Sequence, residues 1–342
     1  MKRLMIIVTL CAAAAARAEQ KNVQMLTNMT DLELQRTMNM MRASLGVHCD
    51  FCHVVDDKNG WQFDKDDKKE KRTAREMIAM TVKINKEQFN GHADVSCWTC
   101  QRGAIRPVSL VPLPQAPPPF PTPKPEVKEL PTRNDVVKKY AEALGNEARL
   151  QGPKILKGSR ESVDGKPIPI DVQQSAGRWR IVADLPTGRV EQVVTETEGW
   201  SKDAKGVNAF NASALENFHQ IAASLEPPLP SSIPADARVT GREVIGNVDS
   251  VILVYRTADH TRHRLYLNAV TGLPVRHVTI TETPIGAIPQ QTDFEQWQDL
   301  GGTAYPFKVR TSLVDPWVGS SRLYNQVTLD AKLPPDTFVK PK

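Results

Sequence analysis

Two Cys-x-x-Cys pairs constrain this chain more than any other feature of its sequence. The first spans residues 49–52 and is followed directly by His53, whereas the second spans residues 97–100 and is followed by Gln101. In a Cys-x-x-Cys-His run the two thiols can form thioether bonds to a haem, and the adjacent imidazole can then ligate its iron. The first pair therefore predicts a c-type haem site, and the second predicts a degenerate copy of it.

The N-terminal segment has the pattern of an export signal. A basic start precedes an apolar run over residues 4–16, and residues 16–18 form a small-x-small cleavage site. The run is too short to span a bilayer comfortably. Lipid attachment at Cys11 is the competing interpretation, and the bulky Leu10 before it argues against that interpretation. We expect residues 1–18 to be a signal peptide and the mature protein to be periplasmic.

A proline-rich segment divides the 342 residues into two regions. Ten prolines between residues 107 and 131 predict an extended, semi-rigid spacer that no packed core should cross. The mild net charge of +5, with acidic and basic residues interspersed, argues against a nucleic-acid partner. We therefore expect a cytochrome domain at residues 19–106, a linker at residues 107–132 and a second domain at residues 133–342.

The haem-bearing region is expected to be mostly helical. Thr30 and Glu33 form a capping box at a helix start, and Gly46 is typical of the residue just past a helix end. One apolar helix face is predicted by four residues at helical spacing: Leu34, Met38, Met41 and Leu45. Met38 lies ~10 Å along the helix from its end, where its thioether could bind iron opposite His53. A methionine in such a stripe can equally be core packing, so both interpretations stay open.

The second half of this region repeats the arrangement. A helix is expected at residues 71–89, followed by the second cysteine pair. Met77 and Met80 share a face of this helix and take the place that Met38 has in the first unit. Gln101, however, has a neutral amide and no imidazole, so it is a poor iron ligand.

These residues resemble the multihaem cytochrome c subunit of photosynthetic reaction centres, and more closely its shorter two-site relatives from non-photosynthetic bacteria. The similarity covers about residues 20–110 and lies in MNMMRASLGVHCDFCHV at residues 38–54, TAREM from residue 73 and VSCWTC from residue 95. In that family each haem is held by Cys-x-x-Cys-His and by a methionine of the preceding helix. The resemblance thus implies one complete haem c site and a second that lacks its histidine. The first consists of Cys49, Cys52, His53 and Met38, and the second of Cys97, Cys100 and Met80.

Two departures limit what the resemblance implies. The photosynthetic subunit has four haem motifs and this chain has at most two, so it cannot form a four-haem wire. Gln101 leaves three alternatives for the second site: a haem with a weak or replaced ligand, a haem ligated by a nearby histidine such as His92, or no haem and a disulfide between Cys97 and Cys100. We favour an empty or oxidised second site, because haem attachment normally needs the adjacent imidazole.

The C-terminal region has the pattern of a large curved antiparallel sheet with one or two helices. Asn134 is expected to cap a helix at residues 135–144, and a second helix is expected at residues 212–225. Asp164 and Gly165 form a hairpin signal between the first two expected strands. The strands are expected at residues 155–163, 168–174, 178–183, 190–197, 251–255, 264–267, 274–281, 292–298, 307–312 and 321–328. The fold class is therefore a multidomain chain, with a mostly α c-type cytochrome domain followed by an α+β domain.

Three segments of this region resemble exported half-barrel domains of the lipoprotein-carrier type: LYLNAVTGLPV at 265–275, QTDF at 291–294 and LPPDTF at 333–338. The resemblance implies a concave face that shelters an apolar ligand or docks a partner, and a module without a ligand is the alternative. His260 and His263 would point to opposite faces of a strand, so we expect no metal there. No phosphate loop, nucleophile elbow or paired-carboxylate motif is present, so nothing supports catalysis.

The leading hypothesis is an exported electron-transfer cytochrome, not an enzyme, with His53 and Met38 as axial ligands. Its partners would be other redox proteins of the cell envelope, and membrane association is left open. A thiol–disulfide oxidoreductase is a rival, although its motif would follow a strand rather than a helix. A four-cysteine zinc site is another, although 44 residues separate Cys52 from Cys97, against about 15 to 20 in zinc ribbons. In a last alternative the half-barrel binds a ligand and carries the main function, and the cytochrome region senses redox state.

Overall fold

The structure is a computed structural model that describes residues 21–111, 113–114, 116–117, 129–161, 165–314 and 319–341. The expected signal peptide with Cys11, much of the expected linker, and Asp164 of the hairpin signal lie outside the described residues. None of the helices in the described part of the chain combines the length and the apolarity that a bilayer crossing needs.

Helices dominate the N-terminal region as far as the structure describes it. Helix α1 spans Asp31–Leu45, α2 spans Lys69–Gln88 and α3 spans Cys97–Gln101. Strands β1 (Val54–Asp56) and β2 (Gly60–Gln62) form a short antiparallel ribbon between α1 and α2. The sequence predicts both long helices to within two residues, whereas the ribbon and the short α3 were not expected.

Helix α1 begins and ends where its capping residues predict. The Thr30 hydroxyl accepts a hydrogen bond from the Glu33 amide (3.3 Å), and the Glu33 carboxylate accepts one from the Thr30 amide (2.7 Å). At the other end Gly46 is left-handed, with φ 67° and ψ 34°. A side chain at Gly46 would overlap the carbonyl oxygen of Gly103, which follows α3. The Gly103 amide donates to the Ser44 carbonyl (2.8 Å), so the end of α1 packs directly on this turn.

Within the described residues, the C-terminal region forms one antiparallel sheet of 13 strands with three helices. The helices are α4 (Arg133–Leu144), α5 (Glu147–Gln151) and α6 (Ala212–Ser224). The strands are β3 (Lys154–Glu161), β4 (Pro167–Ser175), β5 (Arg178–Leu185), β6 (Gly188–Val194), β7 (Gly199–Asp203), β8 (Gly206–Ala209), β9 (Arg238–Ile245), β10 (Val248–Arg256), β11 (Arg262–Asn268), β12 (Pro274–Thr283), β13 (Gly286–Asp299), β14 (Ala304–Leu313) and β15 (Ser320–Leu329). Their order across the sheet is β8-β7-β6-β5-β4-β3-β15-β14-β13-β12-β11-β10-β9. The chain meanders from β3 out to one edge, passes through α6, and returns from the other edge until β15 pairs with β3.

One face of the sheet packs against α4 and α6 and forms the main core. Buried and more exposed side chains alternate along β4, as expected for a strand with one face in the core. Tyr140 and Leu144 of α4 are fully buried in this core, and Phe218 joins it from α6. The ammonium of Lys154 is buried beside them, and it is compensated by the carboxylate of Glu226 at 2.5 Å.

The ten expected strands and both expected helices of this region are present, with three further strands that the sequence did not predict. Two of these, β8 and β9, lie at the opposite edges of the sheet and bury few side chains. Because an edge strand buries little, its hydrophobic alternation is weak. The expected cap of α4 is wrong: Thr132, not Asn134, precedes the helix, and its hydroxyl accepts from the Asp135 amide (3.2 Å).

A second hydrophobic cluster joins the two regions. Met40 and Met41 of α1 and Ile78 of α2 are buried together with Ile285, which belongs to the hairpin between β12 and β13. The expectation that no packed core crosses the proline-rich segment is therefore wrong. That segment separates the regions along the sequence, but apolar side chains from both sides of it pack together.

Candidate haem site

The first cysteine pair lies on a tight 3₁₀ turn shortly after α1. The turn covers Cys49–Phe51, and the amides of Cys52 and His53 both donate to the Cys49 carbonyl (3.3 and 3.0 Å). Cys49 is exposed, Cys52 is half-buried, and both are free thiols. Burial raises the pKa of the Cys52 thiol, and the negative charge of Glu70 raises it further. Two unpaired thiols are thus held close together on one turn, beside an imidazole.

His53 is half-buried against an aromatic pair. Its ring meets the Phe63 ring edge-on, with centroids 5.0 Å apart, and Trp61 stacks on Phe63 at 5.5 Å. Burial and then the positive charge of Lys71 lower the pKa of His53, which favours the neutral imidazole that binds metals. The Phe63 backbone opposes this shift more weakly, although no hydrogen bond of normal geometry reaches the buried Nδ1 atom.

Lys71 fixes the loop that carries Phe63, a role that the sequence did not reveal. Its ammonium donates to the carbonyls of Phe63 and Lys65 (2.8 Å each) and pairs with the Asp66 carboxylate (2.9 Å). Arg75 also pairs with Asp66 (2.8 Å), and the hydrogen bonds from Arg75 and Lys71 hold the pKa of that carboxyl well below its usual range. The charged residues Lys71 and Asp66 therefore order this loop and hold Phe63 beside His53.

Met38 is half-buried on α1, and the helix packs through a different face from the predicted stripe. Its fully buried residues are Leu32, Thr37, Met40, Met41 and Ser44. Of the stripe only Met41 is among them, whereas Leu34, Met38 and Leu45 are half-buried. The stripe fails as a packing face because small polar residues are buried instead: the Ser44 hydroxyl donates to the Met40 carbonyl (2.7 Å) within the helix. Met38 therefore lies at the margin of the packed face rather than within it.

The second cysteine pair lies on α3, and its site differs from the first. Cys97 is half-buried, and burial raises the pKa of its thiol. Cys100 is exposed, and both cysteines are free thiols without a disulfide between them. The Gln101 amide nitrogen, in the orientation that satisfies its neighbours, donates to the carbonyls of Ala104 (2.7 Å) and Ile105 (3.0 Å). Gln101 thus closes the turn after α3.

Met80 does not belong to the packed face of α2. It is 45% exposed, and Met77 is 38% exposed. The helix packs instead through Ile78, Thr81 and Asn85, which are buried. The structure therefore gives Met80 no role in the core.

Across the described residues, no group of three or more His, Cys, Asp or Glu is arranged to hold a metal ion. His260 and His263 are close in the sequence and were expected on opposite faces of a strand; in the structure His263 contacts His277. The Nδ1 atom of His263 lies 3.0 Å from Nε2 of His277, and Tyr255 stacks on His263 with ring centroids 4.6 Å apart. This contact depends on the register between β11 and β12, which the sequence alone does not provide.

The donors of the first site fit a covalently attached haem. Two free thiols and a half-buried imidazole, whose buried Nδ1 atom is unpartnered, lie on one turn, and a half-buried thioether lies on the preceding helix. The second site fits poorly, because the residue after Cys100 has no imidazole and its amide is already hydrogen-bonded.

Two structures resemble the chain over about three fifths of its length. A DUF1329 family protein from Desulfovibrio piger superposes with a TM-score of 0.42 and 11% identity, covering 60% of this chain and 96% of that one. A LolA superfamily protein from Nitrosomonas europaea superposes with a TM-score of 0.39 and 13% identity, covering 61% of this chain and 98% of that one.

Sequence comparison concerns the N-terminal region. The photosynthetic reaction center cytochrome c subunit of Roseobacter denitrificans is 35% identical over 98 residues, which are 26% of this chain and 26% of that protein. The chain therefore matches about a quarter of the length of this curated relative. Residues 8–117 match the model of the photosynthetic reaction centre cytochrome C subunit family. Over this region the chain is similar to that cytochrome c family, which confirms the resemblance seen in the haem motifs.

Proposed function

We propose that this protein is an exported c-type cytochrome that transfers electrons through one covalently bound haem. Cys49 and Cys52 would hold the haem through thioether bonds, and His53 and Met38 would ligate its iron. The observation that carries the proposal is the turn of residues 49–53, on which two free thiols adjoin a half-buried imidazole with a buried, unpartnered Nδ1 atom. When bound, the haem iron supplies one-electron chemistry between its ferric and ferrous states.

The neighbouring residues would hold the imidazole ligand in a fixed orientation. Phe63 covers one edge of the His53 ring, and Lys71 holds Phe63 in place through the Phe63 carbonyl. A thioether ligand such as Met38 raises the reduction potential of a haem relative to a second imidazole. The site would therefore favour the reduced state more than a bis-histidine site does.

The proposal includes one haem per chain, a periplasmic location and no chemistry on a substrate. The second site would hold no haem, because Gln101 lacks the imidazole that attachment normally requires and closes a turn instead. Export would depend on residues 1–18 as the signal peptide. The partners would be other redox proteins of the cell envelope, with no nucleic acid among them.

Counting haems on the full chain tests the proposal. The protein is expressed with a c-type haem attachment system, and its intact mass and pyridine haemochrome spectrum are measured. We expect one haem, which the double variant Cys49→Ser/Cys52→Ser loses and the matched control Cys97→Ser/Cys100→Ser keeps. A wild-type chain without covalent haem would refute the proposal, and two haems would refute its account of Gln101.

The C-terminal sheet offers a second candidate function, the binding of an anionic ligand. Arg322 is buried, and among the described residues it forms one hydrogen bond, to the Ser320 hydroxyl (3.2 Å), and no ion pair. Arg160 lies directly opposite on β3, and both arginines line a cleft with Ile170 and Ile181 in its walls. Because a buried guanidinium without a counter-charge is costly, the cleft suits a carboxylate or phosphate attached to an apolar group.

Binding of a fluorescent fatty acid tests this second candidate. We expect the wild type to bind the probe and Arg322→Met to bind it at least about tenfold more weakly, since one charged hydrogen bond contributes about 1.5–3 kcal/mol. Equal binding by both proteins, or no binding by the wild type, would remove the candidate.

A further inference from the structure

The hairpin between β12 and β13 extends from the C-terminal sheet into the N-terminal region. Ile285 stands in the turn of this hairpin, where side chains are usually exposed, yet it is 0% exposed. It packs with Met40 and Met41 of α1 and with Ile78 of α2. A residue of the C-terminal region is thus at the centre of the core that holds the two long N-terminal helices together.

The N-terminal region buries few large apolar side chains of its own. Among its described residues these are Leu32, Met40, Met41 and Ile78. A region of this size can rarely fold on so small a core. Methionine adapts to irregular spaces and therefore specifies the spacing of two helices poorly, whereas the β-branched side chain of Ile285 is stiff. Ile285 is therefore the rigid element that sets the distance between α1 and α2.

Two further contacts fix the hairpin tip on the second cysteine unit. The buried amide of Asn85 donates to the carbonyls of Pro284 (3.3 Å) and Val95 (2.8 Å) and accepts from the Val95 amide (2.9 Å). One side chain of α2 thus binds both the hairpin and the loop before α3. Gly286 has φ 136°, and a side chain there would overlap the β-carbon of Ser96, the residue before α3.

The same cluster reaches a proposed iron ligand. Met38 packs against it from α1, within one helical turn of Met40 and Met41. A rotation or shift of α1 would displace the Met38 thioether, and a metal–ligand bond tolerates little displacement. Ile285 supports α1 on the side of this cluster, while α3 and α6 contact the helix elsewhere.

We propose that the β12–β13 hairpin positions Met38, so that the C-terminal sheet controls whether this thioether can ligate the iron of a haem held at the first site. Ile285 and Asn85 are positioning residues, whereas Cys49, Cys52 and His53 would hold the haem itself. This inference rests on the proposed function, because it requires a haem at the first site.

The test compares Ile285→Ala with the wild type in the full haem-loaded chain. We expect an unchanged mass increment, since thioether attachment does not involve the hairpin. We expect the absorption band that reports methionine bound to ferric haem to weaken, and the reduction potential to fall, because the thioether ligand raises it. Added imidazole should bind about tenfold more tightly, since its site is open in a larger fraction of molecules. Amide exchange over residues 31–45 should be faster even without haem.

Three further variants separate positioning from a general loss of stability. Ile285→Val keeps the branched shape and should retain methionine ligation. Leu253→Ala removes a fully buried side chain from the core of the sheet, outside the shared cluster, and should leave the ligation unchanged. Asn85→Asp loses the amide donor to Pro284 and should weaken the methionine band, which tests the inference even where Ile285→Ala does not fold.

The outcomes distinguish the two proposals. A wild-type chain without covalent haem overturns the proposed function and this inference together. A normally loaded Ile285→Ala or Asn85→Asp protein with wild-type potential, methionine band and imidazole affinity overturns this inference alone. If Leu253→Ala weakens the methionine band as much as Ile285→Ala does, this inference is also overturned. The effect would then reflect a general loss of stability rather than the positioning of Met38.

Discussion

Gly46→Ala should destabilise the chain through two separable costs. The first is conformational, because Gly46 has φ 67° and an alanine is strained there. The second is steric, because the new β-carbon would overlap the carbonyl oxygen of Gly103, which is backbone and cannot rotate away. The end of α1 would have to move off the turn after α3, and the Gly103 amide would lose its hydrogen bond to Ser44.

Gly60→Ala isolates the first cost. Gly60 has nearly the same backbone conformation, with φ 65°, but a β-carbon there would meet nothing within 4 Å. A left-handed alanine costs roughly 1–2 kcal/mol, partly offset by about 0.4–1 kcal/mol from the less flexible unfolded chain. We therefore expect Gly60→Ala to lower the free energy of unfolding by about 1 kcal/mol. The overlap at Gly46 adds a cost of about 1–3 kcal/mol, so Gly46→Ala should lower the free energy of unfolding by about 2–4 kcal/mol.

Urea unfolding monitored by circular dichroism measures both variants against the wild type. The difference between the two decreases in the free energy of unfolding measures the steric cost, since the conformational cost is common to both variants. Equal losses would refute the argument, because they would mean that α1 does not end against the Gly103 carbonyl.

Three further predictions concern other parts of the chain. Burial lowers the pKa of His277 to about 3, so between pH 6.5 and 3 the unfolded chain binds a proton that the folded chain does not. The free energy of unfolding, measured in urea across this range, should therefore fall as the pH falls, by about 4 kcal/mol at pH 3. The fall should be smaller for His277→Gln. Arg322→Met should leave the free energy of unfolding unchanged or raise it by up to about 4 kcal/mol, because it removes a buried charge without a carboxylate partner. A clear decrease in this free energy, measured by urea unfolding, would show that other groups compensate the charge of Arg322. Gln101→His should allow a second haem to attach, seen as a second mass increment, and an unchanged mass would show that the missing imidazole is not the obstacle.

Features that depend on neighbouring residues were predictable from the sequence. The capping box of Thr30 and Glu33 and the left-handed Gly46 define α1, since each acts within a few residues along the chain. The core strands were found for the same reason, because each carries its own alternation. The cap of α4 was misplaced because Thr132 and Asn134 are both good capping residues, and only the backbone conformation decides between them.

Features that depend on long-range contacts were not predictable. Asn85 and Pro284 are 199 residues apart, and no local pattern marks either as a partner of the other. The packing face of α1 differs from the predicted stripe because the polar residues Thr37 and Ser44 are buried in it, which a hydrophobicity pattern cannot show. Nothing in the local sequence distinguishes Ile285 from an ordinary turn residue. Only the fold brings it into contact with α1 and α2.

The second cysteine unit supports the first even where it carries no haem. Its turn at Gly103 receives the end of α1, and its helix α2 holds the hairpin tip through Asn85. These contacts need the backbone path of the unit but not an iron ligand after Cys100. A residue such as Gln101, which closes the turn through its amide, can therefore replace the histidine without loss of this support. The duplicated unit would then act as a scaffold for the proposed haem site at residues 49–53, which would explain physically how a degenerate haem motif can keep its fold.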